Sequence, residues 1–513
     1  MALEANLLKA VELWRGLRGG ARAIRKVHEH RHRFVAVLIF FIPLVAYWLS
    51  LSHDVGSKDV AEMQGVPYLL GIPHPTGYPL FVVLGWLWSH AVTYDTLAFR
   101  MNLFGAVCMA ATALIGTFTA IRMGAGPVTS MGAFLSFAFT RVVWFHGAQA
   151  DAQDLALLFA ALTLYFLIGW LREMRSSDLI LASGSFGAAL AAHPFSLWLL
   201  PCFIVAFIAR ARNLSFSNVG ASVMACALLL AVYAYLPIRA TAIEQHPVDA
   251  IQMLAPPASR VYWDVNAPNT GSGFLTEVSG VQFGGANLWR SLGNPVTWTN
   301  TGRAIYHTIH DAYHIVYVVI VVLGVLTLLS ARRLAGTVML LAGAITATVL
   351  AVVLQSIEGD PSRYAMPLLF IAALFASGTT VWFTGTVDVR RWIYALTMIG
   401  IAVYLAIGSS GVAAQQRNAT SRPLITWVAK NVPQRAIVVT PWADATSLAY
   451  AAYADGSLAG RTIVASHPLA LASQYATWSK REPVYVVSPL RIADPRFRQV
   501  GKPSLGRMVY HFL

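Results

Sequence analysis

Long apolar runs separated by short polar turns dominate the chain, and they set the first expectation. A bilayer core requires about 20 consecutive apolar residues per helical crossing. Runs of that kind cover 34–52, 98–121, 126–145, 153–170, 178–192, 195–209, 219–237, 312–330, 334–355, 364–383 and 392–411. The pattern predicts a mainly α, polytopic membrane protein with about 11 transmembrane helices. A shorter run over 79–94, carrying Trp86, Trp88 and His90, reads as an interfacial or re-entrant helix rather than a crossing.

Two stretches break the apolar rhythm. The first, 239–311, carries Pro256-Pro257, Tyr262-Trp263-Asp264 and Asn269-Thr270-Gly271, and its length without a clear period predicts a functional loop with short helices. In the second, from 413 onward, Ala436–Thr440, Thr462–Ser466 and Pro483–Ser488 read as short buried strands. Helix-like stretches, Ala443–Tyr453 and Pro468–Trp478, separate them. That alternation implies a small α/β domain. The expected organisation is a basic arm over 1–33, a membrane domain over 34–412 with outer loops 53–97 and 239–311, and an α/β domain over 413–513.

Composition agrees with the membrane class: 57% of residues are hydrophobic and 12% charged. A net charge of +14 raises nucleic acid as a partner, but its distribution argues for topology instead. Arg15, Arg18, Arg22, Arg25, Lys26, Arg31 and Arg33 crowd the arm, and Arg122, Arg172, Arg175, Arg210, Arg212, Arg332, Arg333, Arg390 and Arg391 sit in alternate turns. Lys and Arg near a crossing are retained in the cytoplasm. The arm is therefore expected inside, as an amphipathic surface helix attracted to anionic lipid or as a basic tail. Asp54, Asp59, Glu62, Asp151, Asp154, Asp264, Glu358 and Asp360 fall on the opposite side, and an odd number of crossings leaves the α/β domain extracytoplasmic. The expected location is a multi-pass site in the plasma membrane of a prokaryote, with no nucleic-acid partner.

Cys108, Cys202 and Cys226 all lie in apolar runs, which excludes a disulfide framework, a zinc cluster and a thiol nucleophile. The C-terminal region has neither Gly-x-Gly-x-x-Gly nor a Walker lysine motif, so no nucleotide is assigned to it.

Candidate chemistry concentrates just beyond the first crossing, over Ser57–Leu80. Asp59 and Glu62 are carboxylates beside the membrane surface, and His74 stands between Pro73 and Pro75, which restrict its backbone. Asp59 reads as a general base or as a solvated or helix-capping aspartate. Glu62 can bond an acceptor, help to ligate an ion or face water. Asp151 precedes an apolar run, where a carboxylate also favours the helix N-terminus. Arg239 and Arg363 occur at outer ends of runs and suit phosphate oxygens; their structural alternatives are snorkelling for Arg239 and a bridge to Asp360 for Arg363. Tyr78 belongs to the Gly77-Tyr78-Pro79 turn, while Trp263 and Asp264 either line a channel or pack the loop. Asp59, Glu62 and Asp151 offer oxygens to magnesium or manganese, but no His/Cys cluster has ligand spacing, and no cofactor is required.

Asp59-x-x-Glu62, Leu70-Gly71-Ile72-Pro73-His74-Pro75-Thr76-Gly77-Tyr78-Pro79-Leu80 and Phe99-Arg100-Met101-Asn102-Leu103 together resemble the signature of the domain-of-unknown-function 2723 family. This is a group of GT-C-type membrane glycosyltransferases related to protein O-mannosyltransferases. Gln149-Ala150-Asp151, Tyr235-Leu236-Pro237-Ile238-Arg239, Gly273-Phe274-Leu275 and Val278-Ser279-Gly280-Val281-Gln282-Phe283 extend the likeness over roughly 34–290. The family's small residues around the carboxylate pair are replaced here by Lys58, Val60 and Ala61, but the spacing is kept. The resemblance implies transfer of a sugar from a polyprenyl-phosphate-linked donor to a hydroxyl of a protein or glycan acceptor on the extracytoplasmic face. It implies Asp59 as base with Glu62 and Asp151 as catalytic partners. His74, Tyr78, Arg239, Arg363, Trp263 and Asp264 would then bind substrate. The alternative from another class is a polytopic transporter or lipid-linked-sugar flippase, which wants ionisable side chains buried along its spans.

Overall fold

A computed structural model describes residues 33–281, 292–330, 333–358, 362–382, 389–418, 420–503 and 506–513. Nearly all of the basic arm, together with Gln282, Phe283, Arg332 and Asp360, lies outside those residues. Each of the eleven apolar runs contains helix where it is described, and length then separates them. Among the described residues, six helices are long and apolar enough to cross a bilayer: Leu97–Arg122, Ala152–Glu173, Phe216–Gln245, Leu334–Val352, Ser362–Val381 and Val389–Gln416. A seventh forms if Pro127–Ala138 and Arg141–Gly147, bent by 72°, make one span. Arg33–Trp48, Pro79–Ala91, Pro194–Ala209 and Val316–Ser330 are apolar but shorter. The bend falls where Thr140 caps a new helix by accepting from the Val143 N–H.

Aromatic side chains fill the centre of the membrane bundle, with Phe134, Phe137 and Phe370 in mutual edge contact. A second core lies at one end of it. There Ala61, Met63 and Val66 of the short Lys58–Leu69 helix are buried with Leu424, Ile425, Val428, Leu448 and Tyr450 of the C-terminal region. The first outer helix is thus packed from both directions, by the bundle and by a segment hundreds of residues away.

The C-terminal region carries a five-stranded mixed sheet of order β2-β1-β3-β5-β4, with β1 Ile437–Thr440, β2 Thr462–Ala465, β3 Val484–Ser488, β4 Phe497–Gly501 and β5 Met508–Phe512. β1 pairs in parallel with β2 and β3, and β5 runs antiparallel to both β3 and β4. The first three strands match the expected runs. The last two were not expected, although Met508–Phe512 joins β-branched and aromatic residues in the manner of a strand.

One close approach fixes the outer loops. The Lys58–Leu69 helix ends with Leu70 in the left-handed region (φ 51°), its N–H bonding back into the last turn. The next residue, Gly71, lies so close to Tyr262 that a Cβ would collide with the Tyr262 carbonyl oxygen. The Ile72 N–H donates to that same oxygen at 2.9 Å, and the Tyr262 hydroxyl donates to the Ala61 carbonyl at 2.6 Å. The glycine of the Leu-Gly-Ile-Pro-His-Pro motif is a backbone-contact residue. Gly71→Ala should separate the two loops and cost about 1–3 kcal/mol, seen as a lowered melting temperature by intrinsic fluorescence in detergent; an unchanged melting temperature would refute the contact.

Candidate active site

The Lys58–Leu69 helix, the turn before Ala152–Glu173, the loop around 258–265, Arg363 and the edge of the C-terminal sheet enclose a cavity of about 680 Å³. Asp59, His74, Asp151 and Arg363, which lie far apart in the chain, all line it. Arg363 joins the acids: its Nη2 donates to Asp59 Oδ2 at 2.8 Å, and its Nη1 stands 3.9 Å from Asp151 Oδ2. Asp151 also caps its helix by accepting from the Gln153 N–H at 2.9 Å, and His146 Nδ1 lies 3.7 Å from its carboxylate. The capping role and the place in the cavity coexist.

Burial pushes the Asp59 carboxyl up, but the charges of His74 and Arg363 and the arginine hydrogen bond outweigh it and hold the group below the usual carboxylate range. Asp151 goes the other way. Its burial dominates, and the more distant Arg363 only partly offsets it, so the carboxyl is raised. The two acids at one guanidinium therefore differ in proton affinity, with Asp59 the more firmly ionised.

Glu62 does not share the wall with Asp59. It is fully buried and binds His74 twice, its carboxylate accepting from the His74 backbone N–H at 3.1 Å and pairing with ring Nδ1. On the other side of the ring, His74 Nε2 is 3.0 Å from the Tyr78 hydroxyl, which itself donates to the Pro75 carbonyl at 3.0 Å. The ring is thus held between a carboxylate and a hydroxyl. Glu62 therefore positions the His74 ring in the cavity wall instead of facing water, an acceptor or an ion.

Three candidates lie elsewhere. Arg239 Nε donates to the Leu70 carbonyl at 2.6 Å and Nη2 to that of Leu69 at 3.3 Å, satisfying the end of the first outer helix. Trp263 and Asp264 are buried in the loop, with Trp263 against Tyr453 and Asp264 bonded to Arg260 at 2.9 Å. Burial pushes Asp264 up to about 6 in spite of that arginine. His193 accepts from the Phe195 N–H and stacks on Tyr78, and burial drives its ring down to about 3, so it is neutral. Among the described residues, no three His, Cys, Asp or Glu side chains are grouped to hold a metal ion.

Three residues of the site were not singled out from the sequence. His146, five positions before Asp151, was legible as a second polar residue at that turn. Asn102 belongs to the Phe99-Arg100-Met101-Asn102-Leu103 motif: its Oδ1 accepts from Gln64 Nε2 and the Ala150 N–H while its Nδ2 donates to the Ser52 carbonyl, fastening three segments in the cavity lining. Trp442 comes from the residue pair after β1, a position where ligands meet parallel sheets.

The fold is that of a polytopic membrane protein with a small C-terminal mixed sheet. ArnT from Cupriavidus metallidurans, in its apo crystal structure, has the same fold: TM-score 0.52 at 11% identity, covering 93% of this chain and 97% of that one. Residues 59–216 match the family model for the protein O-mannosyl-transferase TMEM260 N-terminal domain. Mouse (Mus musculus) protein O-mannosyl-transferase TMEM260 is 26% identical over 266 residues, 50% of this chain and 35% of the mouse protein. The Dictyostelium discoideum protein of that name is 25% identical over 141 residues, 27% of this chain and 17% of its own length. The matches thus span about a third of the mouse relative and less of the amoebal one.

Removing the ring of His74 while leaving Glu62 buried should destabilise strongly. His74→Ala is expected to cost about 3–5 kcal/mol, and pairing it with Glu62→Gln should recover much of the loss; equal melting temperatures for the single and double variants would contradict the pairing.

Proposed function

We propose that the protein is a membrane glycosyltransferase that moves a sugar from a polyprenyl-phosphate-linked donor to a hydroxyl of a protein acceptor outside the cytoplasm. The observation that carries this reading is the Asp59–Arg363 pair in a cavity beside the membrane bundle. Similarity to protein O-mannosyl-transferases favours mannose and a protein acceptor. In this reading the arm 1–33 is cytoplasmic, about 11 crossings fill 34–412, with short helices completing the count, and 413–513 is extracytoplasmic. Helix ends support that orientation. Ala152–Glu173 starts at Asp151 and ends beside the Arg122–Glu173–Asp178 cluster, about 33 Å away by helical rise.

The acceptor oxygen attacks the anomeric carbon as Asp59 takes its proton, the carbon–oxygen bond to phosphate breaks, and the electron pair leaves on the phosphate oxygen. Arg363 and the ring of His74 stabilise that oxygen. Direct attack with one base inverts the anomeric centre.

Donor arrival also changes the base. A phosphate that draws Arg363 away from Asp59 removes the interaction holding the carboxyl down and adds a negative charge beside it, so Asp59 gains proton affinity when the hydroxyl is to be deprotonated. A transporter or flippase would want ionisable groups strung through its spans. Here Asp59, Glu62 and Asp151 gather around one cavity, with Asp154 a turn deeper.

Transfer from polyprenyl-phosphate mannose by the purified protein in lipid should fall about 10²–10⁴-fold in Asp59→Asn; full activity in that variant would eliminate Asp59 as base. The acid limb of kcat, which reports the donor complex, should lie at higher pH than that of kcat/KM, which reports the free enzyme. Arg363→Gln should bring the two limbs together by raising the lower one, and coincident limbs in the wild type would remove the arginine exchange.

A further inference from the structure

The cavity has two unlike walls. Asp54, Lys58, Asp59, Asp151 and Arg363 give one wall its charge, whereas Ala258, Val261, Val265, Trp442, Ala443 and Ala465 make the other almost wholly apolar. Of these six, only Trp442 carries a side-chain hydrogen-bond donor. Its ring meets His74 edge-on, with centroids 5.1 Å apart and planes at 79°, and it remains partly exposed. Trp442 and Ala443 follow β1 and Ala465 ends β2, so the carboxyl edge of the parallel strands forms the wall.

The sheet is held there rigidly. Arg422 Nε donates to Asp54 Oδ1 at 2.7 Å and Nη1 to Asp455 Oδ2 at 3.3 Å, and the Ser421 N–H donates to the Val55 carbonyl at 3.0 Å. Gln252 Nε2 donates to the carbonyls of Val261 and Ile463, at 3.0 and 2.8 Å, linking the loop wall to β2. A wall fastened by both backbone and charge contacts keeps its shape before any ligand arrives, which favours selection among ligands over adaptation to them.

Resting on the glycosyltransferase reading, we infer that this wall is a specificity shelf for a polypeptide acceptor, with Trp442 receiving an apolar side chain next to the acceptor Ser or Thr. The donor phosphate is assigned to the Arg363 side of the cavity, where the guanidinium stands. The opposite wall is left to the acceptor. A glycan would need several hydrogen-bond partners for its hydroxyls on that wall, and Ala258, Val261, Val265, Ala443 and Ala465 provide no side-chain partner. An extended peptide needs only an apolar surface for one residue while its hydroxyl reaches Asp59. An acidic residue in the same place would lose its hydration against alanine, valine and indole, with only the ring of His74, already paired with Glu62, beside it.

The test uses the full-length protein in lipid nanodiscs and fluorescein-labelled peptides with a single Thr flanked by Leu or by Asp. Binding is read by anisotropy without donor, and transfer is read separately with polyprenyl-phosphate mannose. The Leu peptide should bind about tenfold more tightly than the Asp peptide, the scale of one buried aliphatic side chain. Trp442→Ala should erase that preference, Trp442→Phe should keep most of it, and Ala443→Leu should weaken the Leu peptide by crowding the shelf. Arg496→Ala, on the exposed surface beside Asp494, should match the wild type. An unchanged Leu/Asp ratio in Trp442→Ala, or a folded wild type that binds neither peptide, overturns the shelf. Trp442-dependent binding with no transfer from the mannosyl donor would instead sink the donor chemistry and leave the shelf standing.

Discussion

A carboxylate beside hydrocarbon is stable only if something keeps it charged, and at this membrane surface that partner is Arg363. Burial raises the Asp59 carboxyl; the nearby His74 and the guanidinium, by charge and hydrogen bond, reverse the shift. The requirement governs the surrounding architecture. Arg363 must stand at the start of the Met366–Gly378 helix, Asp151 must cap the helix opposite, and the first outer helix must be fixed so that Asp59 meets both.

That helix is held by contacts that carry no chemistry themselves. Gly71 admits the Tyr262 backbone, Arg239 satisfies the last carbonyls of the helix, and Asn102 anchors Gln64 and the Asp151 turn together. The motif residues thus divide their labour. Asp59 and His74 face the cavity, while the glycine, the asparagine and the arginine set their position. A short helix of 12 residues with no long apolar face acquires a defined place because two separate regions pack on it.

Much of the fold was legible because hydrocarbon imposes a plain rule on sequence: every apolar run contains helix where it is described. Crossing number was less legible, since runs such as 195–209 are interrupted by Pro201 and by a 3-10 turn, and a run can be apolar without being a full span. At the site, Asp59, Asp151, His74 and Arg363 were recognisable as polar residues at span ends. Glu62 and Arg239 were read for the wrong surroundings. A carboxylate three residues from Asp59 has every reason to share its face, until a histidine twelve residues on claims it in the core. An arginine at the end of a span bonds oxygen either way, and sequence does not distinguish a lipid phosphate from the carbonyls of a neighbouring helix. Trp442 was hidden by distance along the chain, because its importance depends on which edge of a sheet turns toward the bundle.

The pairing of residue 59 with residue 363 has a consequence for biogenesis. During synthesis the carboxylates and the histidine leave the ribosome early, whereas the guanidinium emerges some 304 residues later, and the indole later still. A nascent chain in the midst of insertion holds a carboxylate without its counter-charge and half of a cavity without its facing wall. The pocket is assembled only once residue 442 has emerged, so every shorter intermediate of synthesis lacks it.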